Sequence, residues 1–300
     1  MLKIGKLKLD SDLILAPMAG YSDIGLRVLC RRAGAGLVCS EMVHSSALLH
    51  GNAKTKAMTR IVEEERPVCV QLFGTKPEDV KKACREFEGD CDVVGFNFGC
   101  PAQQIKSAGC GAALLDHPDV IEAIVAALRS STDKPLLPKM RLGNMALADY
   151  VRIAKRIEAA GADALIVHGR TAKQGYSGKA DWAAIGEIKR ALSIPVIANG
   201  DVVDGPSAKA CLAASGADGI AIGRAALGDP DVFRRIATYL KDGTVLLNPT
   251  PDEKMALWKE YEALAKEAGI SRQQILQQAM SFTKGIPGAA RMRERLAKGR

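Results

Sequence analysis

Aromatic side chains are scarce: Phe, Trp and Tyr make up 4 % of 300 residues, so the core must be aliphatic. No apolar run reaches the roughly 20 residues needed to cross a bilayer, and no membrane partner is expected. Met1–Asp10 mixes lysine with leucine and lacks the apolar block of a secretory signal, which predicts a cytoplasmic protein. None of the eight cysteines forms a Cys-x-x-Cys pair, so no metal site is expected. Without a secretory signal their even number argues poorly for disulfides. Most sit in apolar runs, such as Val68-Cys69-Val70, and read as small buried hydrophobes. Neither Gly34-Ala-Gly36 nor Gly109-Cys-Gly111 completes G-x-G-x-x-G, which disfavours a doubly wound dinucleotide fold.

What is present has a clear period. Apolar runs recur at Leu13–Met18, Gly36–Met42, Pro67–Leu72, Val93–Asn97, Leu136–Met140, Ala164–His168, Pro195–Asn199 and Gly219–Ile222. Amphipathic stretches lie between them, among them Pro77–Phe87, Pro118–Leu128, Leu147–Ala160, Trp182–Ala191 and Ser207–Ala214. Strands alternating with helices imply a parallel sheet, and near-continuous apolar strands imply burial on both faces. Eight such units predict an α/β protein, a (β/α)₈ TIM barrel over residues 1–247. After Asn248-Pro-Thr-Pro251 the strand pattern stops, and 248–300 reads as a small helical extension. Its first helix is expected to be capped by Asp252 and ended by Gly269, with further helices over Ser271–Thr283 and Pro287–Leu296.

The net charge of +8 concentrates at that end. Lys284, Arg291, Arg293, Arg295, Lys298 and Arg300 face a single acid, Glu294. Such a cluster suits a polyanion, although a solvated helix end reads the same way.

In a TIM barrel, function gathers where the strands end at their C-terminal face. There the sequence places Ala16-Pro17-Met18, Gln71, Asn97, Lys139, His168, Asn199-Gly200-Asp201 and Gly223-Arg224. Small residues and Arg224 in the last two loops suggest a phosphate site, with tight turns as the alternative. Lys139 falls across from it, where a cation would stabilise a reduced flavin or merely complete an ion pair. Cys100 follows the fourth strand in a loop defined by Gly99 and Pro101. A thiol with an ordinary pKa of about 8.5 stays protonated at neutral pH and can act as a general acid. Cys110, in the same loop, is the competing candidate.

These segments, Leu15-Ala-Pro-Met-Ala-Gly20, Tyr21-Ser-Asp23, Ser40-Glu-Met42, Val70-Gln-Leu72, Asn97-Phe-Gly-Cys-Pro101, Lys139-Met-Arg141, Val167-His-Gly-Arg-Thr171, Ile197-Ala-Asn-Gly-Asp201 and Ile222-Gly-Arg224, occur in order across residues 13–230. Together they closely resemble the tRNA-dihydrouridine synthases of bacterial and archaeal type. The resemblance implies an FMN barrel that uses NADPH or NADH to reduce uridine in tRNA, with Cys100 giving the proton to C5. It also implies that Ala16, Pro17, Met18, Gln71, Lys139 and His168 contact the flavin. Asn199, Gly200, Asp201, Gly223 and Arg224 would hold its phosphate, and Asn97 and Arg170 would meet the target base. The protein is expected to be a monomer whose extension helps to hold tRNA. Where the family carries a basic, histidine-containing helix, this chain has Gln277-Gln-Ala-Met-Ser-Phe-Thr-Lys284, without histidine. The rival readings are an FMN barrel acting on a free pyrimidine, like a dihydroorotate dehydrogenase, and a non-catalytic RNA-binding barrel.

Overall fold

The computed structural model describes residues 1–298, without the side chains of residues 292 and 295–297. Arg300 and the side chain of Arg295, two of the predicted basic residues, lie outside the described residues. Eight parallel strands close into a barrel: β1 (Leu13–Leu15), β2 (Leu37–His44), β3 (Val68–Phe73), β4 (Val93–Phe98), β5 (Leu136–Arg141), β6 (Leu165–His168), β7 (Val196–Asn199) and β8 (Gly219–Ile222). Each pairs with the next, and β8 pairs with β1. Every strand falls on a predicted run, but two differ in extent by more than one residue at an end. β1 stops at Leu15, because Pro17 cannot donate to a ladder, and Ala16–Gly20 becomes loop. β2 continues to His44 through a register shift between Cys39 and Met42.

Side chains alternate faces along a strand, so each strand sends every second residue inward. Towards the bottom these are apolar: Ile14, Leu37, Cys69, Val93, Leu137, Ile166, Ile197 and Ala221 pack as one cluster. The same faces end at the top in Gln71, Asn97, Lys139, His168 and Asn199. An N-terminal hairpin not expected from the sequence pairs Lys3–Ile4 with Leu7–Lys8. Its Leu2, Ile4 and Leu9 join the interior cluster. They seal the end of the barrel opposite the polar one, and Leu2 packs beside Gly219 at the start of β8.

The outer helices are α1 (Ile24–Arg32), α2 (Pro77–Arg85), α3 (Pro118–Arg129), α4 (Tyr150–Ala159), α5 (Trp182–Ala191), α6 (Gly205–Ser215) and α7 (Val232–Asp242). Short helical turns, Ser45–Leu49, Ala53–Ala57 and Glu63–Glu65, connect β2 to β3. Three further helices follow: α8 (Pro251–Glu267), α9 (Arg272–Phe282) and α10 (Ala289–Lys298). The cap of α8 is Thr250, not Asp252. Thr250 and Glu253 form a reciprocal capping box, which puts Pro251 at the first helical position and Asp252 in the first turn.

This helical group docks on α1. Trp258, Tyr261 and Phe282 cluster with ring centroids 5.3–5.8 Å apart. Gly25 of α1 lets Tyr261 approach, since a Cβ there would stand 3.0 Å from its ring. Tyr261 donates to Asp23 Oδ2 at 2.8 Å, while Asp23 Oδ1 caps α1 at Leu26. One buried carboxylate thus ties a barrel helix to the extension.

Candidate active site

The polar end of the barrel opens into a cavity of about 1070 Å³. That is at the upper end of the roughly 300–1,000 Å³ typical of small-molecule sites. All the predicted site residues except Arg170 line it: Ala16, Pro17 and Met18 from the first loop, Gln71, Asn97 and Cys100, Lys139 and His168, Asn199, Gly200 and Asp201, Gly223 and Arg224. A smaller hollow of about 240 Å³, walled by Asp231, Arg234, Glu253 and Glu260, touches none of them.

The β4 loop is built around Asn97. Its Oδ1 accepts from the N–H of Gly99 (3.0 Å) and of Cys100 (2.8 Å), an Asx-type turn that fixes the thiol's backbone. This orients the amide, so Nδ2 donates to Gln71 Oε1 at 2.9 Å. Gln71 is left to present its N–H₂ group to the cavity. Behind Cys100 stands Gly111 at φ +61°, where a Cβ would come within 2.9 Å of the Cys100 carbonyl. Of the eight cysteines, Cys100 alone is not buried. Cys110 is buried, and burial pushes its thiol pKa up. The two competing thiols are thereby separated by geometry.

Lys139 is 9 % exposed, and its ammonium makes no hydrogen bond or ion pair among the described residues. Burial, and then the neighbouring Arg141, lower its pKa to about 7. A buried amine without a partner is costly unless something anionic completes it. Arg141, two residues on and on the same inward face, donates to the carbonyls of Thr171 and Gly175. Burial brings it down to about 10. Arg141 is not among the site residues expected from the sequence, although the two-residue strand period after Lys139 carries that signal.

Around the last two strands the arrangement is that of an anion cradle. The backbone N–H groups of Gly200, Asp201, Gly223 and Arg224 take part in no hydrogen bond among the described residues. A Cβ on Gly223 would meet only Met18 Sδ at 3.6 Å and Ala16 Cβ at 3.8 Å, so the missing side chain leaves open space. Asp201 is the one non-glycine residue with positive φ (59°) among the described residues, and it follows Gly200 at φ 118°. Its carboxylate is not free to repel an anion. Arg170 Nη2 binds both its oxygens, at 2.6 and 2.8 Å, and the Ala180 N–H adds a bond at 2.7 Å. Although burial raises its pKa, these bonds hold it below the usual carboxylate range.

Arg170 itself departs from expectation. It is 1 % exposed and does not line the cavity. Its guanidinium also donates to the carbonyls of Ser177 (3.1 Å) and Gly178 (2.7 Å), so Nε and Nη2 are taken up by the loop and Asp201. Nη1 lies 3.3 Å from His168 Nε2. Because a guanidinium only donates, that ring nitrogen must accept, and the proton sits on Nδ1. Burial, reinforced by Lys139, Arg141, Arg170 and Arg224, keeps His168 neutral with a pKa far below its usual value. Tyr176 covers the rim, with Arg224 stacked 4.2 Å from its ring centroid. It too was missed, being one exposed aromatic in a loop without regular period.

Fold and site together define a TIM barrel whose polar mouth gathers cationic side chains, unengaged backbone amides and one accessible thiol. The chain belongs to the dihydrouridine synthase family: the model of that family, Dihydrouridine synthase (Dus), matches residues 14–300. A probable tRNA-dihydrouridine synthase of Rickettsia conorii is 37 % identical over 303 residues, 98 % of this chain and 90 % of the relative. The tRNA-dihydrouridine synthase B of Pseudomonas putida is 40 % identical over 264 residues, 87 % of this chain and 78 % of the relative. Among solved structures, a morphinone reductase mutant shares the fold at a TM-score of 0.59 and 14 % identity, over 84 % of this chain and 92 % of that one. Among the described residues no helix is long and apolar enough to cross a membrane.

Proposed function

We propose that this protein is an FMN-dependent tRNA-dihydrouridine synthase that reduces the C5=C6 bond of uridine in tRNA, with NADPH or NADH as reductant. The carrying observation is the convergence of the unpartnered Lys139, the free amides of the β7 and β8 loops and the accessible Cys100 on one cavity. The residues fit FMN: open space at Gly223, four unengaged N–H groups with Arg224 for the phosphate, and Gln71, Lys139 and neutral His168 for the ring. Bound there, FMN would supply the hydride, taken from the nicotinamide, that adds to C6 of the uracil.

The protein's own part is positioning and proton delivery. Cys100 gives its Sγ proton to C5, where negative charge develops as C6 accepts hydride. Lys139 and Arg141 line the same cavity as Cys100. Asn97 holds the loop that aims the thiol and keeps one amide hydrogen for the base. A uridine stacked in folded RNA must be drawn out to reach this depth. The cavity is roomy enough for a flavin ring and an extruded base, and Lys284 lines it from the extension. Residues 248–300, with Lys284, Arg291 and Arg293, form the tRNA-binding part in this reading, and a tRNA substrate assigns the work to the cytoplasm.

The test is turnover. Purified protein should be yellow, oxidise NADPH, and form dihydrouridine in unmodified tRNA. Turnover of free dihydroorotate but not tRNA would favour the free-pyrimidine rival. A colourless protein that FMN cannot reconstitute would favour a non-catalytic RNA binder.

A further inference from the structure

Helix α9 carries the stretch in which the sequence departs from the family's histidine-containing helix, and its glutamines turn towards the barrel. Gln274 Nε2 donates to Glu41 Oε1 at 3.4 Å. Gln278 Nε2 donates to the Tyr21 carbonyl at 2.6 Å and lies 3.4 Å from Asp23 Oδ2. A Cβ on Gly20 would stand 3.1 Å from Gln277 Nε2. Positions 274, 277 and 278 share one helix face. From the barrel side, Glu41 Oε2 accepts the Gly20 N–H at 2.5 Å. Gly20–Asp23 is therefore gripped between the Glu41 carboxylate, itself bound by Gln274, and Gln278 of the extension, with Gln277 beside Gly20.

That segment continues directly into Ala16–Ala19, which line the cavity. The connection is stiff: Tyr21 and Ser22 donate to the Met18 carbonyl, and Met18 N–H donates to Ser22 Oγ at 2.9 Å. Two further observations give the grip a purpose. Glu41 is buried yet forms no ion pair among the described residues; its bonds go to Gly20 and Gln274. A buried carboxylate in that position is expensive, but its hydrogen bond to an amide is stronger than a neutral one. Gln278 Oε1 is fully buried with no hydrogen-bond partner among the described residues, so the amide is oriented for the sake of Tyr21.

We propose that Glu41 is a positioning residue for the cofactor cavity: with Gln274 it fixes Gly20 and so holds Ala16–Met18 against the bound flavin, which makes α9 part of the cofactor site. This rests on the FMN reading above. It departs from a picture in which the extension serves RNA alone.

The full-length protein and its Glu41→Ala, Glu41→Gln and Gln274→Ala variants decide it. Amide exchange at Gly20 would be read in the ligand-free state, the FMN Kd by flavin fluorescence, and tRNA binding by filter retention of a transcript. Glu41→Ala should speed Gly20 exchange and raise the FMN Kd at least tenfold, with the tRNA Kd within twofold. Glu41→Gln, which keeps an acceptor for Gly20, should remain within about threefold of the parent in FMN Kd. Gln274→Ala should move exchange and FMN Kd in the same direction by a smaller factor, and it decides the matter if Glu41→Ala does not fold. An FMN Kd unchanged in Gln274→Ala and in folded Glu41→Ala overturns the proposal, as does a loss confined to tRNA binding or equal in Glu41→Gln and Glu41→Ala. If the parent binds no FMN, the flavin reading fails separately. Gly20 exchange that is unaltered in the variants then overturns the grip itself.

Discussion

Arg170 grips both carboxylate oxygens of Asp201 from a position almost wholly shielded from solvent. The pair fastens the β6 loop, through Ser177, Gly178 and Ala180, to the left-handed turn after β7. Arg170→Lys keeps the charge but loses the planar fork that reaches His168, two carbonyls and Asp201 at once. A loss on the order of 1–3 kcal/mol is expected, the low end applying if water reaches the part-exposed Asp201. Thermal unfolding should fall by several degrees, and the FMN Kd should rise because the amides of Gly200 and Asp201 are no longer held. An Arg170→Lys variant with parental melting and flavin affinity, but poor tRNA turnover, would return this arginine to the base-contact role first expected for it.

Lys139 makes the stability of the ligand-free protein depend on pH in a defined direction. In the unfolded chain this amine keeps its proton up to its ordinary value of 10.5, while in the fold it releases it above about 7. Between those values the unfolded state binds more protons, so this group makes stability rise with pH. Below about pH 7 the lysine is charged in both states and its burial penalty is complete. Lys139→Met should therefore be more stable than the parent at pH 6, by a few kcal/mol in order of magnitude, and the difference should shrink towards pH 10. Urea unfolding of both proteins across that range measures it. FMN, being anionic, should bind the variant at least tenfold more weakly. Binding to the parent above pH 7 should take up a proton, seen by calorimetry in buffers of different ionisation enthalpy.

The strands were legible because both their faces are buried, so apolar runs such as Val68-Cys69-Val70 mark them without helical competition. Gln71, Asn97, His168 and Asn199 were legible as site candidates because each is polar where such a run ends. Arg170 was legible as part of a site but not in its role, since Asp201 lies 31 positions away and only the closed barrel brings the two together. Arg141 was overlooked although it repeats the inward face of Lys139. The N-terminal hairpin was missed because its strands have two residues each, too few for any period to show. Thr250 lost out to Asp252 because both are good caps, and Pro251 between them decides in favour of Thr250.

Two glycines of the anion cradle should respond differently to the same added methyl. At Gly200 the backbone is left-handed, and a Cβ would lie 2.8 Å from Ala180 Cβ and 2.9 Å from His168 Cδ2. Gly200→Ala should cost on the order of 1–3 kcal/mol with or without ligand. At Gly223 φ is −110° and no atom beyond its chain neighbours lies within 3.4 Å of the new Cβ. Gly223→Ala should cost the ligand-free protein less stability than Gly200→Ala, yet weaken FMN, whose space the methyl occupies. Equal effects of the two substitutions on stability would argue against the open space at Gly223.

Cys100 and Cys110 lie in one loop, but only Cys100 reaches the cavity, and that difference can be read chemically. Under native conditions at pH 8, a small alkylating reagent should modify Cys100 first, because the other seven thiols are buried. FMN should slow that labelling by covering the cavity. Cys100→Ala should keep flavin binding and NADPH oxidation while dihydrouridine formation falls by at least 10², the usual scale for losing a general acid. Cys110→Ala removes a sulfur that packs beneath the loop and donates weakly to the Ala108 carbonyl at 3.6 Å. It should cost some stability and little activity. The two variants together separate proton donation from loop support: loss of turnover in Cys110→Ala with full turnover in Cys100→Ala would move the acid to the buried thiol, which nothing in its surroundings equips for the task.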